Sequence, residues 1–340
     1  ARGRARMIRL LLVLFAVFLL LLAGTATVVN ERLAPLADGE APESLFVVEP
    51  GDPLARVASR LEDAGLVRDA RAVSWLARWR GVAGDVHVGE YALRPSMAPG
   101  EILDVLVEGR VATWPVSIPE GFTAALIAER LAEAGVADAD AFLRATEDAS
   151  LARDLGLPAD RLEGYLFPET YRLPKGLSAR QVATLLVEQF LEVWQELAPK
   201  ARARGLSMHE VVTLASIVEK ETGAAHERPR IASVFANRVA RRMRLESDPT
   251  TIYGIPDFDG NLRRVHLDDA GNPYNTYQIP GLPPGPIASP GRAALRAVVE
   301  PEETDYLYFV SKNDGTHVFS RTYREHVNAV NEYQRRRSRR

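Results

Sequence analysis

The sequence predicts an α+β protein behind a single apolar N-terminal helix. Three observations carry this. Residues 10–29 form an uncharged run in which only Gly24, Thr25 and Thr27 are not apolar. A strand–turn–helix pattern then occurs twice, 70 residues apart. Amphipathic helical patterns at 178–201 and 207–221 are followed by a Pro- and Gly-dense segment and a β-hairpin pattern.

At 1.5 Å per residue, the apolar run makes a helix of about 30 Å, one hydrocarbon core. Arg2, Arg4, Arg6 and Arg9 precede it; Glu31, Arg32 and Pro35 follow. The basic flank predicts a cytoplasmic N-terminus, with everything beyond residue 30 outside the inner membrane. A cleaved signal peptide, cut near Gly24 and Ala26, is the competing reading. Apolarity continues through Val28 and Val29, which favours a retained single-pass anchor. Residues 31–44 carry Pro, Gly and acidic residues and read as a linker.

The repeat aligns Gly51, Ala58, Arg60, Leu61, Ala64 and Gly65 with Gly121, Ala128, Arg130, Leu131, Ala134 and Gly135, without a gap. Each copy begins with a β-branched or aromatic stretch (Phe46, Val47, Val48; Val116, Ile118), turns at Gly, and enters a helix closed by Gly65 or Gly135. A second helix is expected over 69–80. Its Trp75 and Trp79, four apart, read as core residues rather than as a sugar platform. The first copy, FVVEPGDPLARVASRLEDAGLV, resembles a LysM module, a βααβ fold that binds N-acetylglucosamine in cell-wall glycan. The LysM-like module is placed at 45–115 and the second domain at 116–334.

Composition narrows the function. Hydrophobic residues at 46% and charged residues at 26% fit a globular body. The absence of cysteine excludes disulfides, Cys-zinc sites, iron–sulfur clusters and thiol nucleophiles. The net charge of −3 hides a segregation: residues 1–9 hold four Arg and residues 335–340 five. Setting those nine aside leaves 33 basic against 45 acidic residues. So acidic a body is a poor nucleic-acid binder. The basic tail at 335–340 reads as a solvated end. Walker A, dinucleotide Gly, Gly-x-Ser-x-Gly, Ser-x-x-Lys and His-Glu-x-x-His motifs are all missing from the sequence. The six His are scattered, so no metal or cofactor is expected.

Carboxylates remain. Ser207 and Glu210 form a capping box that opens a helix ending near Glu221. With Val211 at 0° and about 100° per residue, Glu219 falls in the arc of Met208, Val212, Ala215 and Val218, while Glu221 lies some 160° away. A carboxyl on an apolar face has a raised pKa, as a general acid requires. The bland alternative is a buried ion pair with Arg238 or Arg244. The separation of Glu219 from Glu221 excludes them as the facing pair of an ordinary glycosidase.

LASIVEKET at 214–222, ASVFANR at 232–238, SDPTTIYG at 247–254, YNTYQIPGLPPGPIASPG at 274–291, YLYFV at 306–310 and EGYLFPETY at 163–171 occur in this order. Over 45–334 the chain resembles the endolytic murein transglycosylase family (MltG, YceG-like). The resemblance implies a transglycosylase catalytic domain at 116–334 and non-hydrolytic cleavage of the β-1,4 bond between N-acetylmuramic acid and N-acetylglucosamine in peptidoglycan, leaving 1,6-anhydro ends. It makes Glu219 the acid/base, the substrate's own 6-hydroxyl the nucleophile, and glycan polymerases or penicillin-binding proteins the partners. Ser216, Glu169, Asp248, Thr250, Tyr274, Asn275, Thr276 and Tyr277 are the candidate substrate contacts, each with a packing or bracing role as its alternative. A membrane-anchored glycan-binding scaffold and a water-using muramidase remain the competing functions.

Overall fold

The computed structural model describes residues 2–335, with side chains described for 11–334. Residues 336–340 of the basic tail, and the side chains of the 2–9 flank, lie outside the described residues. The chain divides into two compact units, one up to Trp114 together with Pro174–Gly176, the other Pro115–Leu173 with the chain from Leu177 onward.

The first unit runs α1 (Arg2–Arg32), β1 (Ser44–Val48), α2 (Leu54–Asp63), α3 (Ala70–Arg80), β2 (Gly89–Leu93) and α4 (Pro99–Val107). Within α1, an 18-residue stretch of Leu11–Arg32 has a mean hydropathy of 2.7, and none of its residues is buried in the protein. β1 and β2 pair antiparallel with Phe46 opposite Tyr91. Period-2 alternation sends Phe46, Val48, Tyr91 and Leu93 inward, onto Val57, Ala58 and Leu61 of α2, Val73 and Leu76 of α3, and Ile102 and Leu106 of α4. The Trp expectation fails here. Trp75 is 51% exposed and Trp79 73% exposed. The helix buries Val73, Ser74, Leu76 and Ala77 instead, which turns positions 75 and 79 to the opposite side.

The second unit contains β3 (Trp114–Ser117), α5 (Ala124–Glu133), α6 (Ala139–Thr146), α7 (Ala149–Asp154), β4 (Thr170–Leu173), α8 (Ala179–Ala203), α9 (Met208–Glu221), α10 (Arg228–Ala240), α11 (Asp248–Tyr253), α12 (Arg264–Leu267), α13 (Arg292–Val299), β5 (Tyr308–Ser311), β6 (His317–Ser320) and α14 (Tyr323–Val330). The repeat is realised with its offset intact: β1 and β3, and α2 and α5, start 70 residues apart. Both helices close alike, Leu66 N–H bonding Leu61 O and Val136 N–H bonding Leu131 O. β5 and β6 form an antiparallel hairpin around Asp314 and Gly315.

α9 is the centre of this unit. Every residue from Val211 to Val218 is buried, and α8, α10, α11 and α13 pack around it. Val211, Val212, Thr213, Ile217 and Val218 are β-branched and poor helix formers. The capping box overrides them locally: Ser207 Oγ accepts from Glu210 N–H, and Glu210 Oε2 accepts from Ser207 N–H at 2.8 Å. All-round burial does the rest. The segment 278–291 has no regular structure, yet Pro283 and every residue from Gly285 to Gly291 are buried. It is a fixed wall of the unit.

Candidate active site

Glu219 lies near the C-terminal end of α9 with only 6% of its side chain exposed. Its Oε1 accepts from Arg228 Nη2 at 2.8 Å. Its Oε2 accepts from the Gly291 N–H at 3.0 Å. A buried carboxylate needs such partners to offset its lost hydration. The ion pair considered from the sequence therefore exists, but with Arg228 at the start of α10. Arg238 instead binds Leu307 O, Leu245 O and Glu246, and Arg244 binds Tyr277 O.

A second carboxylate shares this arginine. Glu120 Oε2 is 3.2 Å from Arg228 Nη2, and the Glu120 side chain is 46% exposed. Burial raises its pKa above the ordinary carboxylate value; the charge of Glu219 raises it further, and Arg228 opposes both. Glu120 comes from the turn between β3 and α5. Two backbone bonds hold that turn on the 278–291 wall: Gly121 N–H to Ser289 O at 2.9 Å, and Ser289 N–H to Phe122 O at 2.8 Å. A Cβ on Gly121 would lie 3.6 Å from Glu219 Cγ, and one on Gly291 would lie 1.8 Å from Glu120 Oε1. Glycine at 291 is thus what lets Glu120 reach the wall whose amide holds Glu219.

The other predicted residues divide. Ser216, Thr250, Asn275 and Thr276 are fully buried and bonded internally, so they brace the fold and do not line an open cleft. Ser216 Oγ donates to Thr213 O at 2.7 Å and accepts from Ile287 N–H at 3.0 Å. Thr250 and Thr276 join their hydroxyls at 2.7 Å, and Asn275 Nδ2 donates to the carbonyls of His266, Leu267 and Asp269. Tyr277 OH donates to exposed Asp248 at 2.7 Å, and burial pushes the Tyr277 phenol up. Tyr274 is half-buried against Tyr253. Glu169 is exposed, and its carbonyl accepts from Ile118 N–H beside β4. Glu221 differs from its helical-wheel reading. It faces away from Glu219, but onto protein: Ser247 Oγ donates to it at 2.6 Å, and burial raises its pKa. Because residues 211–218 of α9 are covered on all sides, its far flank also meets protein.

Sequence reasoning missed Glu120, Arg228, Gly291 and Glu163. The repeat held a signal for the first: Gly51 and Gly121 align, and Pro50 precedes one where Glu120 precedes the other. Glu163 is buried, accepts from Ala124 N–H at 3.2 Å and from Tyr253 OH at 3.2 Å, and burial pushes its pKa up to about 7. It caps the helix that follows the Glu120 turn. It also borders a cavity of about 300 Å³ with Arg161, His209, Tyr274 and Pro286.

The sequence profile of the YceG-like family matches residues 46–332. The chain belongs to the YceG-like family. It is 28% identical over 299 residues to an endolytic murein transglycosylase of Bacillus subtilis, covering 83% of this chain and 82% of the relative. It is also 28% identical to an endolytic murein transglycosylase of Streptococcus pneumoniae, covering 94% of this chain and 64% of that longer protein. A crystal structure of a YceG-like protein from Listeria monocytogenes matches with a TM-score of 0.58 and 30% identity, over 85% of this chain and 99% of the other.

Proposed function

We propose that this chain is an endolytic murein transglycosylase with Glu219 as its acid/base. The observation that carries the reading is the convergence of Glu219, Arg228, Glu120 and the Gly291 amide in a member of a family with relatives of that name. The substrate is peptidoglycan, and the bond cleaved is the β-1,4 link from N-acetylmuramic acid to N-acetylglucosamine. Protonated Glu219 gives its proton to the bridging oxygen as the C1–O bond breaks. The muramoyl 6-oxygen then bonds C1, and its proton passes to the Glu219 carboxylate. No water is consumed, and a 1,6-anhydro end results.

Arg228 suits this cycle because it has two carboxylate partners. While Glu219 is neutral, Glu120 remains as the counter-ion. Once Glu219 has lost its proton, its ion pair with Arg228 re-forms. An arginine with only 16% of its side chain exposed is thus paired at every stage.

In this reading α1 is a retained single-pass anchor, its basic end cytoplasmic and both units outside the inner membrane. The 45–115 segment, with its β1–α2–α3–β2 order, is LysM-like and binds glycan, and glycan polymerases are the partners. The test is digestion of purified glycan strands followed by mass spectrometry. Anhydro ends support the proposal. New reducing ends would assign the attack to water, with Glu120 as the activating carboxylate, and intact strands would leave a binding scaffold.

A further inference from the structure

The exposed tryptophan pair of α3 has no role in that chemistry. Trp75 and Trp79 stack with ring centroids 6.2 Å apart and planes 11° apart, in solvent. With Arg71 at 0° and about 100° per residue, Arg78 falls at 340°, Trp75 at 40° and Trp79 at 80°. Two arginines and two tryptophans therefore make one continuous face. The helix carries no acidic residue. Arg71 and Arg78 are exposed and form no ion pair among the described residues. On a chain with more acidic than basic residues, this face is a local exception.

Its position gives the exception a meaning. α3 starts where α1 ends. Arg32, the last residue of α1, forms an ion pair with Asp69, and Asp69 caps α3 by accepting from the Arg71 and Ala72 amides. Leu33 packs on the same core as Ala70. Arg68 Nη2 donates to Pro35 O at 3.0 Å, and Leu36 N–H donates to Pro95 O at 2.8 Å. The chain leaving the apolar helix is therefore fastened to the first turn of α3. Arg32 lies three residues beyond Val29, about 5 Å along the axis, which is headgroup depth if residues 10–29 fill the hydrocarbon.

We propose that the Arg71–Trp75–Arg78–Trp79 face of α3 rests on an anionic lipid surface beside the anchor. The inference depends on α1 being a membrane anchor. Indole rings favour the membrane–water boundary, where an apolar plate can enter and the N–H stays wet. Arginines on the same face match anionic headgroups. The contact adds a second attachment point beside α1.

The test reconstitutes the full chain into phosphatidylglycerol vesicles with brominated acyl chains, which quench indoles at the interface. The chain has four Trp, of which Trp114 and Trp194 serve as background. Wild type should be quenched. Trp75→Phe/Trp79→Phe should lose most of the quenching, and Arg71→Glu/Arg78→Glu or phosphatidylcholine vesicles should weaken it. Equal quenching of wild type and the Phe variant, in vesicles that carry the chain on flotation, overturns the proposal alone. A chain that does not float overturns the anchor and this contact together. Indole emission that responds to soluble glycan strands but not to lipid would make the pair a sugar platform and also overturn it.

Discussion

Removing one carboxylate at a time from Arg228 tests the shared-partner arrangement directly. Glu219→Gln deletes an ion pair in which the two side chains are 6% and 16% exposed. Breaking a buried pair typically costs about 3–5 kcal/mol, mostly because the surviving charge is left uncompensated. Here it is not, because Glu120 still reaches Arg228, and the new amide oxygen can accept from Gly291 N–H. Glu219→Gln should therefore cost only about 1 kcal/mol, the scale of one hydrogen bond. Glu120→Gln should cost no more, since its side chain is 46% exposed. The double variant strands Arg228 and should cost about 3–5 kcal/mol. The excess over the sum of the singles is a coupling of about 1–3 kcal/mol. For a body of this size each kcal/mol lowers Tm by about 2–4 °C, so thermal melts resolve it. Activity should separate the two residues. Glu219→Gln cannot pass a proton, so release of anhydro-muropeptides from glycan strands should fall by at least about 10²–10⁴-fold. Additive small losses of stability would refute the shared arginine, and a folded Glu219→Gln with near-normal release would refute the acid/base assignment.

Other outcomes follow from the same geometry. The Glu163 carboxyl titrates at its ordinary 4.5 when unfolded and at about 7 when folded. The native state then holds the proton more tightly, so the Glu163 contribution to stability is full below pH 4.5, declines by up to about 3 kcal/mol as pH rises to 7, and levels off above. Urea melts across pH should show this contribution, and Glu163→Gln should remove it while leaving the shares of Glu120 and Glu221, whose pKa values burial also raises. Gly291→Ala needs no unusual backbone angle, since φ is −75°; its Cβ should expel Glu120 from the wall, leaving melting nearly unchanged while glycan cleavage drops. Glu221→Gln keeps a partner for Ser247 and should cost far less activity than Glu219→Gln in the same release assay. Membrane fractionation should recover the full-length chain in the membrane pellet; a soluble chain beginning near residue 27 would mean that α1 is a cleaved leader.

Much of the fold was legible because its signals are local. The 70-residue offset, the Ser207–Glu210 box and the Asp314–Gly315 turn each act through neighbours in the chain, and each appears at its expected place. The helical wheel was half right for a physical reason. Periodicity reports a buried face only when another face is wet; α9 is covered on every side from Val211 to Val218, so the wheel separated Glu219 from Glu221 without showing that Glu221 meets protein too. The same limit hid the bracing role of Asn275 and Thr276, whose polar side chains look like sugar ligands until their carbonyl and hydroxyl partners are in view. Glu120 and Arg228 were hidden by distance along the chain. They lie 108 residues apart, and the fold unites them because a glycine at 291 leaves room for a carboxylate where any Cβ would collide with it. That vacancy explains why the acidic partner of the site belongs to the second copy of the repeat. In the first copy the corresponding position is Pro50, so the shared strand–turn–helix scaffold carries a carboxylate over Arg228 only where the 278–291 wall comes down to meet it.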